Sequence, residues 1–467
     1  VRLEDAVALV DERMAAGRVE HGVPCVAYGL LLDGRLVHAH GVCEDGDLRD
    51  APDRPFRIAS MSKSFTAATV LALRAEGRLA LDDPVAEHLP WAQAIDRPLG
   101  GPRLTIRHLL TMTGGLPTDD PWGDRQESLP IGVFDDLVSR GLSFCRPAGA
   151  EFEYSNLGYA LLGRVISQVT GEDFRDAVTS RVLEPLGMTR TTYDVGLTHD
   201  RVVGHAPRAA GLVEQPETGS GAFSPMGGLW STVVDLARWV GALMAAETDP
   251  ASSLREMQRS HVLARMEVGT ADKPHSPVAA SYGMGLMVNE DAERGRFVHH
   301  SGGYPGYGSH MRWHPATGWA LIALGNRTYA PMAPLVAAIM DDLVADDGLT
   351  TQRQAAVRAL WPQTVAAMDM AEQLLTAWDD TLVDTRAAVN LDLDQPRDER
   401  RAEWQARAEE LGAVERVDDS VESRSPAHAR WQVSGPGGTA WLEVLLTPEL
   451  EPRIQTLTVS AVTAAGG

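Results

Sequence analysis

Cysteine is scarce in this chain, with 3 residues among 467. Cys25, Cys43 and Cys145 are odd in number and form no CxxC pair, which argues against a disulfide-rich secreted scaffold. Each is expected as a small buried hydrophobe. No stretch approaches the ~20 consecutive apolar residues of a membrane-spanning helix. Nor does a basic segment lead into an apolar one at the amino end, where residues 1–14 carry Glu4, Asp5, Asp11 and Glu12 on an amphipathic pattern. A cytoplasmic chain with no membrane partner is therefore expected. Basic residues are in the minority, 42 against 64 acidic ones, for a formal net charge of −22. Such a field repels a phosphate backbone and makes nucleic acid a poor partner. His299 and His300 are adjacent, His314 is distant, and no HExxH pattern or glycine-rich nucleotide loop occurs. Neither a metal nor an organic cofactor is expected.

What is present is a globular composition, 44% hydrophobic, long enough for two or three domains of about 100–200 residues. Residues 1–18 predict a helix, and 26–32 with 36–39 predict a hairpin turned at Asp33-Gly34. Another helix begins near Ser60, where Phe65, Ala68, Leu71 and Leu73 recur until Glu76-Gly77 closes the run. Between 81 and 243 lie short helices broken by Pro and Gly, clearest at 105–112, 132–139, 156–170 and 231–244. Ser231 or Thr232 caps the last of these, with Asp235 in its first turn. Strand patterns return at 282–288, 296–299, 308–313 and 319–324, followed by a helix over 332–344. The fold class expected is α+β: an antiparallel sheet flanked by helices with an inserted helical subdomain, over residues 1–348. Helices at 352–375 and 397–411 and strands at 429–433, 440–446 and 454–459 predict a small α+β accessory domain over 349–467.

Three clusters carry candidate chemistry. Ser60-Met61-Ser62-Lys63 opens a helix and places a hydroxyl and an amine three residues apart on one side of it. Such a serine either caps the helix or attacks an acyl group, with the lysine taking its proton once burial holds the amine partly neutral. Tyr154-Ser155-Asn156 precedes an apolar helix. The tyrosine either relays a proton or packs, and Asn156 caps the helix, donates to an acyl carbonyl or orients Lys63. His300-Ser301-Gly302-Gly303 ends a strand, where glycines admit a substrate backbone and the Gly303 amide is placed to form an oxyanion hole with that of Ser60. A surface turn is the other reading of this segment.

In order and spacing, these clusters resemble the three active-site motifs of the penicillin-recognising serine hydrolases. The similarity is nearest to the branch of class C beta-lactamases and DD-peptidases, which also holds esterases, D-aminopeptidases and peptide-cyclising thioesterases. It extends over about residues 5–345 and includes Leu81-Asp82-Asp83-Pro84-Val85, 105–110 and Leu186-Gly187-Met188. The resemblance implies Ser60 as nucleophile, Lys63 as its base, Tyr154 as proton shuttle and Asn156 as the group that binds the acyl-side amide. Ser301 and Gly302 continue the strand that aligns substrate. His300 stands where beta-lactamases usually have lysine, which implies weaker selection for a carboxylate, slow turnover of penicillins and cephalosporins, and better acceptance of carboxylate-free esters. Hydrolysis of a small ester, amide or peptide is the expected function. Release of a nonribosomal peptide by cyclisation is the alternative, and a non-catalytic peptide-binding protein the third reading.

Further segments are candidates for the cleft. Residues 117–125 hold Asp119, Asp120, Trp122 and Arg125, a polar stretch suited to recognition or to a capped loop. Residues 219–230 place Phe223, Met226 and Trp230 among glycines, as an apolar wall for an acyl chain or as core. His299 is expected on the opposite face of the strand from His300. In the accessory domain Arg453 is the candidate to bind a peptide carboxylate, with a surface ion pair as the other reading.

Overall fold

The computed structural model describes residues 2–44, 46–48, 50–209, 211–269, 276–345, 360–417 and 420–461. The chain divides into two compact units, Val1–Asp347 and Gly348–Gly467.

The first unit is built on a hairpin of β1 (Cys25–Leu32) and β2 (Arg35–Cys43), continued by β3 (Gly46–Asp47). Its turn is the expected Asp33-Gly34, both at positive φ, which suits a tight hairpin. Two short ribbons lie outside the large sheet, β4 (Phe56–Arg57) with β7 (Trp230–Ser231) and β5 (His205–Arg208) with β6 (Gly211–Glu214). The remaining strands of the large sheet are β8 (Val262–Glu267), β9 (Val278–Tyr282), β10 (Met287–Asp291), β11 (Gly295–Tyr304), β12 (Tyr307–Trp313) and β13 (Trp319–Gly325). They run antiparallel in the order β3-β2-β1-β13-β12-β11-β10-β9-β8. The central strands β12 and β13 are buried along their whole length, as a sheet covered on both faces requires. The terminal helices Leu3–Glu20 and Met332–Ala345 cover one face through Ala6, Val10, Met14, Val336 and Ile339. Against the other lies the helix Ser62–Ala75, whose residues 62–71 are all buried. Around it the inserted region supplies, among others, the helices Asn156–Thr170 and Val233–Ala246. Thr232 caps the latter by accepting from the Asp235 amide at 3.1 Å.

Several expectations are corrected. The run at 282–288 is two strands, because Gly283–Leu286 leaves the sheet and Gly285 takes φ +72°. An added Cβ at Gly285 would lie 2.7 Å from the Lys63 carbonyl oxygen, so this turn is pressed onto the helix of Lys63. Cys25 and Cys43 are not separate buried hydrophobes: they face each other across β1 and β2 and form a disulfide. Cys145 is exposed. One such pair is still far from a disulfide-rich scaffold, but the expectation of three separate thiols does not hold. No helix among the described residues is long and apolar enough to cross a membrane.

The second unit packs helices Pro362–Thr376 and Arg397–Leu411 on a four-stranded sheet of β14 (Glu415–Arg416), β15 (His428–Gly435), β16 (Gly438–Leu446) and β17 (Ile454–Ala461). Its core holds Trp404, Trp431, Leu442 and Val444. The helix expected over 352–375 is described from Pro362, and its first part falls outside the described residues.

Candidate active site

Ser60 lies in a 3₁₀ turn, Ala59–Met61, that feeds the helix Ser62–Ala75. The residue before it, Ala59, has φ +48°, an uncommon conformation for a non-glycine residue that the surrounding structure must hold in place. β11 supports this turn from the side. A Cβ on Gly302 would lie 2.2 Å from the Ile58 carbonyl oxygen and 3.1 Å from Ala59 Cβ, so only glycine lets the strand run this close. The Ile58 carbonyl also accepts from Ser309 Oγ on β12 at 2.8 Å.

One helical turn after the serine, Lys63 is wholly buried. In its ammonium form Nζ donates to Ser60 Oγ at 2.9 Å, to Asn156 Oδ1 at 2.7 Å and to the Met226 carbonyl at 2.9 Å. It stands 4.9 Å from the centroid of the Tyr154 ring. Burial lowers this amine to about 8, although Asp120, Asp124 and Asp119 favour the charged form. Asn156 is the link to those acids: its Nδ2 donates to Asp120 Oδ1 at 2.8 Å and its amide to Asp119 Oδ1 at 2.6 Å. Asn156 thus connects Lys63 to Asp119 and Asp120, while Ser155 caps the helix Asn156–Thr170 through the Gly158 amide. Burial raises Asp124 to about 6, against the Tyr329 hydroxyl that donates to it at 2.9 Å.

Tyr154 is half-buried and packs against Tyr282, ring centroids 6.4 Å apart. Burial holds its phenol well above the usual value, and Asp120 adds to this while Ser60 opposes it. Tyr282 also reaches His300, whose Nε2 lies 3.4 Å from its hydroxyl. His300 Nδ1 lies 2.6 Å from the Ser301 carbonyl. A carbonyl only accepts, so Nδ1 carries the proton and Nε2 receives the Tyr282 hydroxyl. Burial and Lys63 lower His300 to about 3, which leaves it neutral.

A cavity of about 850 Å³ opens above these groups, with Ser60, Asp120, Asp124, Tyr154, His300, Ser301, Gly303 and Tyr329 among its lining. β10 pairs with β11 only as far as His299. From His300 to Tyr304, β11 keeps β12 as its strand partner and turns its other edge away from β10.

The candidate residues do not all gather here. Trp230 is core: it is 1% exposed, pairs in β7 with Arg57 and stacks edge-on against Tyr307. Gly302 is spent on the contact with Ile58. Arg453 belongs to the second unit, exposed, its amide donating to Thr447 Oγ1 at 2.9 Å. The sequence reading did not anticipate Asp124, Tyr282, Tyr329 or the Met226 carbonyl. One available signal went unused: Lys63 and Lys273 are the only lysines among 42 basic residues, so an amine rather than a guanidinium at 63 stands out.

The Beta-lactamase family model matches residues 6–345, and the chain belongs to that family. Its sequence is 28% identical over 289 residues to Protein flp of Staphylococcus aureus (strain COL), which covers 60% of this chain and 55% of that one. The chain thus spans about half the length of this relative. It is also 28% identical over 332 residues to Penicillin-binding protein 4 of Amycolatopsis lactamdurans, covering 68% of this chain and 84% of that one. Two solved structures share the fold. The octameric penicillin-binding protein homologue from Pyrococcus abyssi superposes with TM-score 0.63 at 21% identity, over 97% of this chain and 94% of that one. A D-stereospecific amidohydrolase from Streptomyces sp. gives 0.56 at 24%, over 72% and 97%.

Proposed function

We propose that this protein is a serine hydrolase that cleaves ester or amide bonds of a small acyl or peptide substrate through an acyl-Ser60 intermediate. The observation that carries the reading is the surroundings of Lys63 Nζ. A neutral amine has two N–H groups and one lone pair. Asn156 Oδ1 and the Met226 carbonyl can only accept, so the two N–H groups go to them and the lone pair faces the Ser60 hydroxyl. That is the arrangement of a base beside its nucleophile.

In the first step Ser60 Oγ bonds to the substrate carbonyl carbon, and its proton passes to Lys63. Backbone amides of Ser60 and Gly303 are the proposed donors to the oxygen that gains charge. The leaving group departs with a proton delivered through Tyr154, whose raised phenol is suited to hold it. In the second step an acceptor releases the acyl group and restores Ser60. Water gives a linear acid, and an amine of the substrate itself gives a ring, so analysis of products from a peptide thioester separates hydrolase from cyclase.

Intact-protein mass spectrometry with peptide mapping, after rapid quenching in an activated acyl ester, tests the intermediate. Ser60→Ala should show neither adduct nor turnover. Lys63→Ala should acylate at least ~100-fold more slowly, as expected for loss of a general base. Tyr154→Phe keeps the ring and should show a marked rate defect. An adduct at another residue, or wild-type acylation by Lys63→Ala, defeats the mechanism.

A further inference from the structure

The same cavity continues past the β11 edge to the opposite face of the sheet, where its lining includes His299, Ser301, His310, Arg312, Ala333 and Ala337. Strand register explains the grouping. His299 pairs with Arg312 and Ser301 with His310, and alternation sends all four side chains to the face away from His300. The small residues Ala333 and Ala337, one turn apart on the helix Met332–Ala345, leave space over them.

These groups are short of partners. His310 is 1% exposed and Arg312 8%. Among the described residues His310 Nε2, Arg312 Nε and both ring nitrogens of His299 have no hydrogen-bond partner. Ser301 Oγ lies 2.9 Å from His310 Nδ1; the hydroxyl donating to Nδ1 leaves Nε2 as an N–H donor. Arg312 Cζ lies over the Phe297 ring, 4.1 Å from its centroid. Asp341, Asp291 and Glu267 favour its charge and Arg294 opposes it. Burial lowers it to about 10, so it remains a cation at neutral pH. Burial also holds both histidines neutral, with Arg312 adding to the effect.

Buried donors without acceptors are unfavourable, and a bound group that supplies acceptors relieves the cost. Arg265 and Glu267 also line this part of the cavity but pair with each other, so one guanidinium and two neutral imidazoles present several N–H donors and a net single positive charge, which suits a carboxylate better than a doubly charged phosphate. We propose that Arg312, His310 and His299 form an anion subsite for a carboxylate carried by the substrate on the far side of β11 from Ser60. The subsite deepens the acyl-enzyme reading and rests on it. It also revises the expectation drawn from His300 that carboxylate-free esters are better substrates: for a group long enough to pass the strand, the cation stands on the other face.

The test is a series of activated esters whose leaving groups end in a carboxylate on arms of increasing length, each beside its methyl ester. The quantity read is the ratio of kcat/KM for acid over methyl ester. In the wild type this ratio should rise well above one at a particular arm length. Arg312→Met should lower it about ten- to hundredfold at that length, the range expected for loss of a charge-assisted hydrogen bond, and Arg312→Lys should restore part of it. His310→Gln reads the same ratio if Arg312→Met does not fold. A ratio near or below one at every length, or one that survives these substitutions, overturns the subsite. No acyl-Ser60 from any methyl ester sinks the reading beneath it instead.

Discussion

At the scale of single residues, the site turns on how far burial can neutralise an amine. Lys63 is lowered to about 8 while three aspartates pull the other way. If its neutral form takes the serine proton, acylation should quicken as pH rises and level off above about 8. Asp120→Asn removes a charge that favours the ammonium and keeps an oxygen for Asn156, so the rising limb should move to lower pH. Stopped-flow acylation profiles of the two proteins read this, and a flat wild-type profile from about pH 6 to 10 sinks Lys63 as base. Ser60, Lys63, Tyr154 and Asn156 were candidates because the three clusters together, in order and spacing, resemble a known family's motifs; local spacing and helix placement alone left capping and packing open. Asp124 and Tyr282 were not, since nothing local distinguishes an aspartate or tyrosine that later meets the site from one that does not.

At the scale of elements, the helix Asn156–Thr170 has the bounds its apolar pattern predicts, and Arg397–Leu411 does likewise. β11 does not. Its pattern suggested a strand ending at 299, yet it continues to Tyr304. Serine and glycine have little strand preference of their own; pairing with β12 from Val298 to Tyr304 supplies what the local sequence lacks. β8 was missed because its exposures at Leu263 and Met266 do not follow a clean alternation. Gly302 gives the sharpest consequence of β11's reach. Gly302→Ala puts a Cβ 2.2 Å from the Ile58 oxygen and must part the strand from the serine turn. Acylation should fall about 100-fold, as for a displacement of order 1 Å, with a lower Tm. Gly219→Ala, with nothing within 4 Å, should do neither, and equal rates in both variants would discount the contact.

At the scale of the whole molecule, the lining of the cavity comes from residues 60–337, within the first unit, and the second unit has a core of its own. A chain ending at Asp347 should therefore still be acylated at Ser60 within a few-fold of the full-length rate. Loss of labelling in such a protein with an intact near-UV circular dichroism spectrum would mean that the second unit completes the site. The sequence by itself determined the α+β class, the order of the three motifs and most helices, because periodicity, caps and turns act over a few residues. The tertiary structure alone decided that Cys25 meets Cys43, that Trp230 is core, that Lys63 lies among Asn156 and the Met226 carbonyl, and that His299 and His310 share a wall with Arg312. Each of these depends on burial or strand register between segments distant in the chain, and burial, which shifts the Lys63 and Arg312 equilibria, exists only once those segments have packed.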